Sequence, residues 1–409
     1  MEEVEVPQFF LCPISLQIMR DPVTVITGIT YDRESIHQWL ISSGINTAYC
    51  PVTKQVIPRD YSDLTPNHTL RRLIQAWCAA NMSESSIPIM PKSPPTKASI
   101  NKLLQDLGME RSQLQVLKKL EEIASEGENS RRCAAEFGVA KAMVSLIIKC
   151  FKRNSVYCLE EALRVLNLII TRVPINEITS FFTSGPDFLD SITWMMRCRT
   201  DTHKQTRTLA VSVLKSLVEL ESSNVLERLK SDLFEAVVWI LTDRVSQQAL
   251  KSALHVLLSS CPWGGNKFKI VEAGAVFQLI ELELNGCPDK RTTELILGVL
   301  DHLCSCADGR AKFLGHAAGI AMITKRILRV STAADDVAVR ILSSICKFSG
   351  TGEVVQEMLR VGAVSKLCMV LQANEGSVKA KAREVLRLHN NVWSNSPCIQ
   401  IYLLTRYTR

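Results

Sequence analysis

Between Ile100 and Trp393 the chain keeps returning to one pattern. A glycine opens an apolar helical segment in GVAKAMVSLIIK from Gly138, GAVFQLIELEL from Gly274, GIAMITKRIL from Gly319 and GAVSKLCMVLQ from Gly362. The last three glycines lie 45 and 43 residues apart, and the interval from Gly138 to Gly274 holds three units of similar length, with weaker helices near Phe188 and Phe234. Each unit continues with a second apolar helix: EEALRVLNLI from Glu160, TLAVSVLKSL from Thr208, ALKSALHVLL from Ala249, ELILGVLDHL from Glu294 and VAVRILSSIC from Val337. Short segments before the glycines, such as NKFKIVEA and GRAKFLGH, supply a third helix. One such unit cannot bury its apolar faces alone, so the period requires neighbours to stack into a continuous core.

The unit length and the glycine ahead of a longer last helix resemble the armadillo repeat more than HEAT. Five to seven units fit. The resemblance implies a concave binding face lined by the third helices, where a protein substrate would lie. Aligned on their leucines, those helices put Ser216, Ser259, His302 and Ser344 in the row where armadillo proteins often carry a peptide-contacting polar residue, usually Asn. Read without the resemblance, these four are solvated polar side chains. His302 beside Asp301 has no further ligand or nucleophile near it in sequence, and Cys304 and Cys306 point to different helix faces, which suits core filling better than metal binding.

Residues 83–99, SESSIPIMPKSPPTKAS, contain four prolines and five serines without a hydrophobic period, and read as a semi-rigid linker. Ahead of it, Gly28 separates two short strand candidates, Val23–Ile26 and Ile29–Tyr31, which suggests a hairpin. Asp32 or Ser35 is placed to cap a helix whose face carries Ile36, Leu40 and the neighbouring Trp39. After Pro66, Leu70, Leu73, Ile74 and Trp77 recur at helical spacing with Arg71 and Arg72 expected outside. Two proline-led loops, Cys12-Pro13-Ile14 and Cys50-Pro51-Val52, bracket these elements. The whole resembles a small scaffold that presents two loops, a docking surface and not a pocket.

This order, with C-P-I, D-P-V, G-I-T-Y-D-R, the Ile36/Trp39/Leu40 helix, C-P-V-T and P-N-x-x-L-R-x-x-I-x-x-W, resembles the U-box, the zinc-free relative of the RING domain. Two structural zinc ions need eight ligands, usually in close pairs, and the segment offers only Cys12, Cys50, Cys78, His37 and His68 with no C-x-x-C. Neither a structural metal nor a cofactor is expected. Polar contacts among Asp32, Arg33, Glu34, Thr53 and Asn67 are the candidates to replace the metal. The resemblance implies that a ubiquitin-conjugating enzyme charged with ubiquitin docks on Cys12, Pro13, Ile14, Trp39, Cys50 and Pro51. Lys54 stands where some relatives carry a basic residue that contacts both the conjugating enzyme and its ubiquitin. Related U-boxes pair, which leaves self-association open.

The net charge of +7 is dispersed over 409 residues, so no basic stripe argues for nucleic acid. The acidic start MEEVEVPQFF lacks a signal run, no stretch approaches a membrane span, and 14 scattered cysteines do not form a disulfide framework, so reduced thiols in the cytoplasm, with the nucleus also open, are expected. The reading is a mainly α protein: a small α+β U-box over 1–82, the linker over 83–99, an armadillo-type α-solenoid over 100–393 and a C-terminal cap over 394–409 with Ile399, Ile401, Leu403 and Leu404. Together the parts resemble a plant U-box ubiquitin ligase of the armadillo-bearing class, whose members commonly act in stress and immune signalling. It would have no nucleophile of its own. The competing reading is a non-catalytic armadillo adaptor with a degenerate U-box.

Overall fold

Glycine at position 28 adopts φ +78°, the left-handed conformation that lets the chain turn back between β1 (Pro22–Thr24) and β2 (Thr30–Asp32). These strands pair antiparallel with Val23 opposite Tyr31, and β5 (Thr65–Pro66) joins the other edge of β1. A second hairpin, β3 (Ala48–Tyr49) with β4 (Val56–Ile57), carries the second proline-led loop between its strands. Helices α1 (Arg33–Ser42) and α2 (His68–Asn81) complete this part, whose core includes Cys12, Val23, Tyr31, Ile36, Cys50 and Ile74. The computed structural model describes residues 6–42, 48–57, 64–81, 96–183, 187–198, 203–221, 224–243, 245–286, 289–373, 377–394, 396–397 and 399–400.

Two predictions about α2 and α1 fail for one reason, a ring of contacts around Asp21. Arg71, expected outside, is buried and lies 3.6 Å from Asp21 Oδ1, while Leu73 is exposed. Asp32 does not cap α1; its Oδ1 accepts the amides of Arg20 and Asp21 at 2.8 and 2.9 Å.

The chain divides into two compact units, residues 1–94 and 95–409. Residues 83–95 of the expected linker lie outside the described residues, and the first helix beyond it, α3 (Lys97–Asp106), is already under way before residue 100, capped by the Thr96 hydroxyl accepting from the Ser99 amide.

Among the described residues the second unit is built of helices and the turns between them. After α3 and α4 (Gln113–Ser125) come triplets: α5 (Glu128–Glu136), α6 (Val139–Lys152) and α7 (Leu159–Ile169), then α8 (Ile175–Thr183), α9 (Asp187–Arg197) and α10 (Lys204–Leu220). A short 3-10 turn, Asn224–Arg228, stands in for the first helix of the next unit, before α11 (Ser231–Asp243) and α12 (Gln247–Ser260). There follow α13 (Asn266–Glu272), α14 (Ala275–Asn285) and α15 (Lys290–Cys304); α16 (Ala307–Leu314), α17 (Gly319–Arg326) and α18 (Thr332–Ser349); and α19 (Gly352–Arg360), α20 (Ala363–Ala373) and α21 (Ser377–Leu388), with α22 (Asn390–Trp393) last. The third helices α4, α7, α10, α12, α15, α18 and α21 pack in sequence as one ladder, and the second helices form another.

Leucines, valines and isoleucines of all units join one cluster of buried residues. Gly138, Gly274 and Gly362 each turn the chain between first and second helices at φ +82°, +82° and +81°. Gly319 serves the same place differently: a Cβ there would sit 2.7 Å from the Phe313 carbonyl oxygen. At the C-terminal end Trp393 is fully buried and its Nε1 donates to the Val355 carbonyl at 3.2 Å. Ile399 packs on the same core, whereas Ile401, Leu403 and Leu404 lie outside the described residues.

Candidate functional site

The two proline-led loops are built alike, residue for residue. In the first, the Cys12 amide donates to the Gln17 carbonyl at 2.8 Å, the Leu16 amide donates to the Cys12 carbonyl at 2.8 Å, and Leu16 has φ +56°. In the second, the Cys50 amide donates to the Gln55 carbonyl at 2.8 Å, the Lys54 amide donates to the Cys50 carbonyl at 2.9 Å, and Lys54 has φ +58°. A residue other than glycine in the left-handed region is uncommon, and the repeated pattern of closing hydrogen bonds holds both there.

Two consecutive residues of β2 tie the loops together. The Asp32 amide donates to Cys12 Sγ at 3.3 Å, and the Tyr31 hydroxyl lies 2.9 Å from Cys50 Sγ. Thr27 Oγ1 and the Thr53 amide also donate to Cys50 Sγ, each at 3.4 Å, and the Val52 amide donates to the Tyr31 hydroxyl at 3.4 Å. Each sulfur thus organises the turn that follows it by accepting hydrogen bonds. Burial pushes the Cys50 thiol up, but the hydroxyls of Thr27, Thr53 and Tyr31 and the Thr53 amide outweigh it and bring the thiol from an ordinary 9.0 down to about 6. Cys12 is opposed by burial in the same way and is likewise drawn down by bonds from Ser15, Asp32 and Ile14. Burial next to Cys50 keeps Tyr31 protonated.

Polar side chains fix the rest. Arg33 Nε donates to Asp21 Oδ2 at 2.6 Å. The Asn67 carboxamide accepts the Leu70 amide at 3.0 Å and donates to Thr24 Oγ1 at 3.4 Å, joining α2 to β1. Of the expected metal-replacing contacts, Asp32, Arg33 and Asn67 carry this network, Thr53 contributes through Cys50, and Glu34 stands exposed. Asp21, Tyr31 and Thr27 were not anticipated; the signal for the sulfur-centred part was available as C-P-x-x-x-Q repeated at 12–17 and 50–55. Among the described residues no group of His, Cys, Asp and Glu side chains is arranged to hold a metal ion.

The loops leave an apolar edge. Pro13 is exposed, Ile14 and Pro51 are half-buried, and Trp39 on α1 is tied to the second loop by Nε1 donating to the Tyr49 carbonyl at 2.9 Å. Tyr49, Val52 and Val56 are exposed beside it and extend the edge beyond the sequence reading. Cys12 and Cys50 correct the expectation of direct contact: both are completely buried, because their sulfurs are spent inside the turns, and they present nothing to a partner. Lys54 is exposed on the second loop.

On the solenoid, Ser216, Ser259, His302 and Ser344 stand at the same position counted from the starts of four successive third helices, all half-buried. Ser344 Oγ donates to the Cys304 carbonyl at 2.8 Å and so joins neighbouring helices. Burial chiefly holds the His302 imidazole below its ordinary range, which favours the neutral ring. Cys304 is buried in the core. Ser216 opens on a polar cleft of about 530 Å³ that crosses α7, α10, α12 and α15.

Comparison with known proteins matches each part. A family model for the U-box domain fits residues 6–83, and one for the plant U-box protein ARM repeat region fits residues 99–409. Over nearly its whole length the chain is similar to three proteins of Arabidopsis thaliana: E3 ubiquitin-protein ligase PUB23 at 42% identity, covering 99% of this chain and 98% of that one, PUB24 at 40%, covering 99% and 96%, and PUB22 at 39%, covering 99% of both. The crystal structure of an engineered protein, 18% identical, superimposes with a TM-score of 0.52 over 72% of this chain and 68% of the other, a likeness of fold alone.

Proposed function

We propose, from the premise that the chain belongs to the plant U-box E3 ubiquitin ligases with an armadillo repeat region, that it works as a two-ended scaffold. The edge formed by Pro13, Ile14, Trp39 and Pro51, with Val52 and Tyr49, receives the ubiquitin-conjugating enzyme. The array holds a protein substrate. A substrate lysine amine attacks the thioester between ubiquitin and the conjugating enzyme's cysteine, an isopeptide bond forms, and the cysteine leaves as thiolate. No ubiquitin is carried on this chain, in keeping with the burial of Cys12 and Cys50. Its contribution is proximity and ordering of the reactants, where each 1.4 kcal/mol of barrier removed is about tenfold in rate. Lys54 at the edge of the second loop is the candidate to order the bound ubiquitin, as a point charge without arginine's fork. A cytoplasmic or nuclear role in stress or immune signalling follows the family resemblance.

The observation that carries this reading is the pair of like-built loops joined through Tyr31 and Asp32, with an apolar edge left uncovered beside Trp39. An autoubiquitination assay with activating enzyme, a panel of conjugating enzymes, ubiquitin and ATP tests it, run with and without a chelator. Ladders that persist in chelator and fall at least tenfold in folded Ile14→Ala and Trp39→Ala proteins are expected. Absence of ladders with every conjugating enzyme would favour the adaptor reading instead.

A further inference from the structure

The cleft across the third helices has a charge that the function so far does not use. Its floor holds two buried serines: Ser212 Oγ lies 3.4 Å from Ser252 Oγ, and the exposed Gln248 Nε2 lies 3.5 Å from Ser212 Oγ, so neighbouring helices α10 and α12 are joined there by polar side chains. Over that floor stand three cations on three successive third helices, Lys215 on α10, Lys251 on α12 and Arg291 on α15, while no carboxylate lines the cleft. Two acids lie at its rim. Glu219 is 3.8 Å from Lys215 and 3.2 Å from His255, and Asp289 is 2.7 Å from Lys251. Asp289 is engaged elsewhere, its Oδ1 capping α15 by accepting the Thr292 amide at 2.8 Å. Arg291 is exposed and has no carboxylate partner among the described residues. His255 registers the field: burial and then Lys215 lower its basicity, Glu219 opposes, and Arg291 lowers it further.

We propose that this cleft binds an acidic segment of a substrate protein in extended conformation, its carboxylates meeting Lys215, Lys251 and Arg291 in turn. The proposal rests on the reading that the armadillo array holds the substrate, and specifies the substrate's chemistry. Partly exposed ion pairs such as those of Lys215 and Lys251 are weak and exchange for an incoming carboxylate. Packed helices lie roughly 8–10 Å apart, an extended chain advances about 3.3 Å per residue, and its side chains alternate between faces. The segment therefore carries its Asp or Glu at alternate positions, on the one face turned to the cleft. Ser216 and Gln248 are at hand for its backbone groups.

A random twelve-residue peptide library displayed on phage and selected on the full chain tests this, followed by fluorescence anisotropy with the enriched peptides. Acidic peptides with that spacing are expected. They should weaken at least tenfold when Asp and Glu become Asn and Gln, weaken steeply between 50 and 300 mM salt, and weaken at least tenfold on folded Lys251→Glu and Arg291→Glu proteins. A peptide with Lys in place of its acids should bind the Lys251→Glu/Arg291→Glu protein better than the wild type. Enrichment of neutral or basic peptides that the cleft substitutions leave bound would overturn the acidic specificity while leaving the array as a substrate holder. Failure to enrich any peptide whose binding depends on residues 97–394 would remove both.

Discussion

Cys50 gives the second proline-led loop a pH dependence that can be measured. In the folded U-box its thiol is drawn from 9.0 to about 6, so between those limits the folded state holds fewer protons than the unfolded chain. Stability must then rise with pH across that window, be fully present above about 9 and be lost as pH falls through about 6. Three pH units at about 1.4 kcal/mol each set a ceiling of about 4 kcal/mol. Pulse proteolysis across a urea series, with U-box peptides read by mass spectrometry in the full chain, separates this unit from the solenoid. Between pH 6.5 and 8.5 the wild type should gain about 2 kcal/mol more than Cys50→Ser, which keeps an acceptor but does not ionise in this range. Tyr31→Phe removes the 2.9 Å contact to the sulfur and the acceptor of the Val52 amide. It should cost about 1 kcal/mol and return part of the Cys50 shift, shrinking the pH gain. Equal pH slopes in the wild type and Cys50→Ser would refute the reasoning and leave the sulfur as a neutral, weak acceptor.

Two other substitutions probe the supports of each unit. Asp21→Ala strands the buried Arg71 guanidinium and frees Arg33, and should destabilise the U-box by about 2 kcal/mol, less than a wholly buried pair because Arg33 is partly solvated. The same pulse proteolysis should show U-box peptides lost at lower urea, unchanged by added zinc, with solenoid peptides unaffected. Trp393→Ala empties a fully buried site and leaves the Val355 carbonyl without its donor, for a loss of about 3–5 kcal/mol in the last repeat. Hydrogen exchange should accelerate across 352–388 and fade towards earlier units, as nearest-neighbour stacking requires; unchanged exchange there would count against a capping role.

The solenoid was legible because its signals are local and repeated. Apolar spacing marks each helix, and Ser246, Asp289 and Ser331 cap third helices with side-chain oxygens that accept the amide three residues on. Even the divergent units near Phe188 and Phe234 proved to be α9 and α11. Gly319 shows the limit of such reasoning. It occupies the repeat's glycine position without a left-handed backbone, and the requirement comes from the Phe313 carbonyl instead. The cations Lys215, Lys251 and Arg291 were invisible as a group because spacings near 40 residues become neighbours only once the third helices stack.

The U-box was less legible because its decisive contacts cross from one element to another. Helical spacing along α2 favours Leu73 over Arg71, and only Asp21, just ahead of β1, reverses that choice. The cysteines show the same thing in the opposite sense. Their place before proline marks them as belonging to the docking loops, yet the turns that project Ile14 and Pro51 exist because the sulfurs face inward and accept hydrogen bonds from Asp32, Thr27 and Thr53. A zinc ion would bind four such sulfurs or imidazoles and hold loops through strong bonds to one centre. Here each loop has one sulfur and a few hydrogen bonds, so its geometry depends on every donor being in place, and the loss of one, as in Tyr31→Phe, should be felt at the docking edge before the domain unfolds.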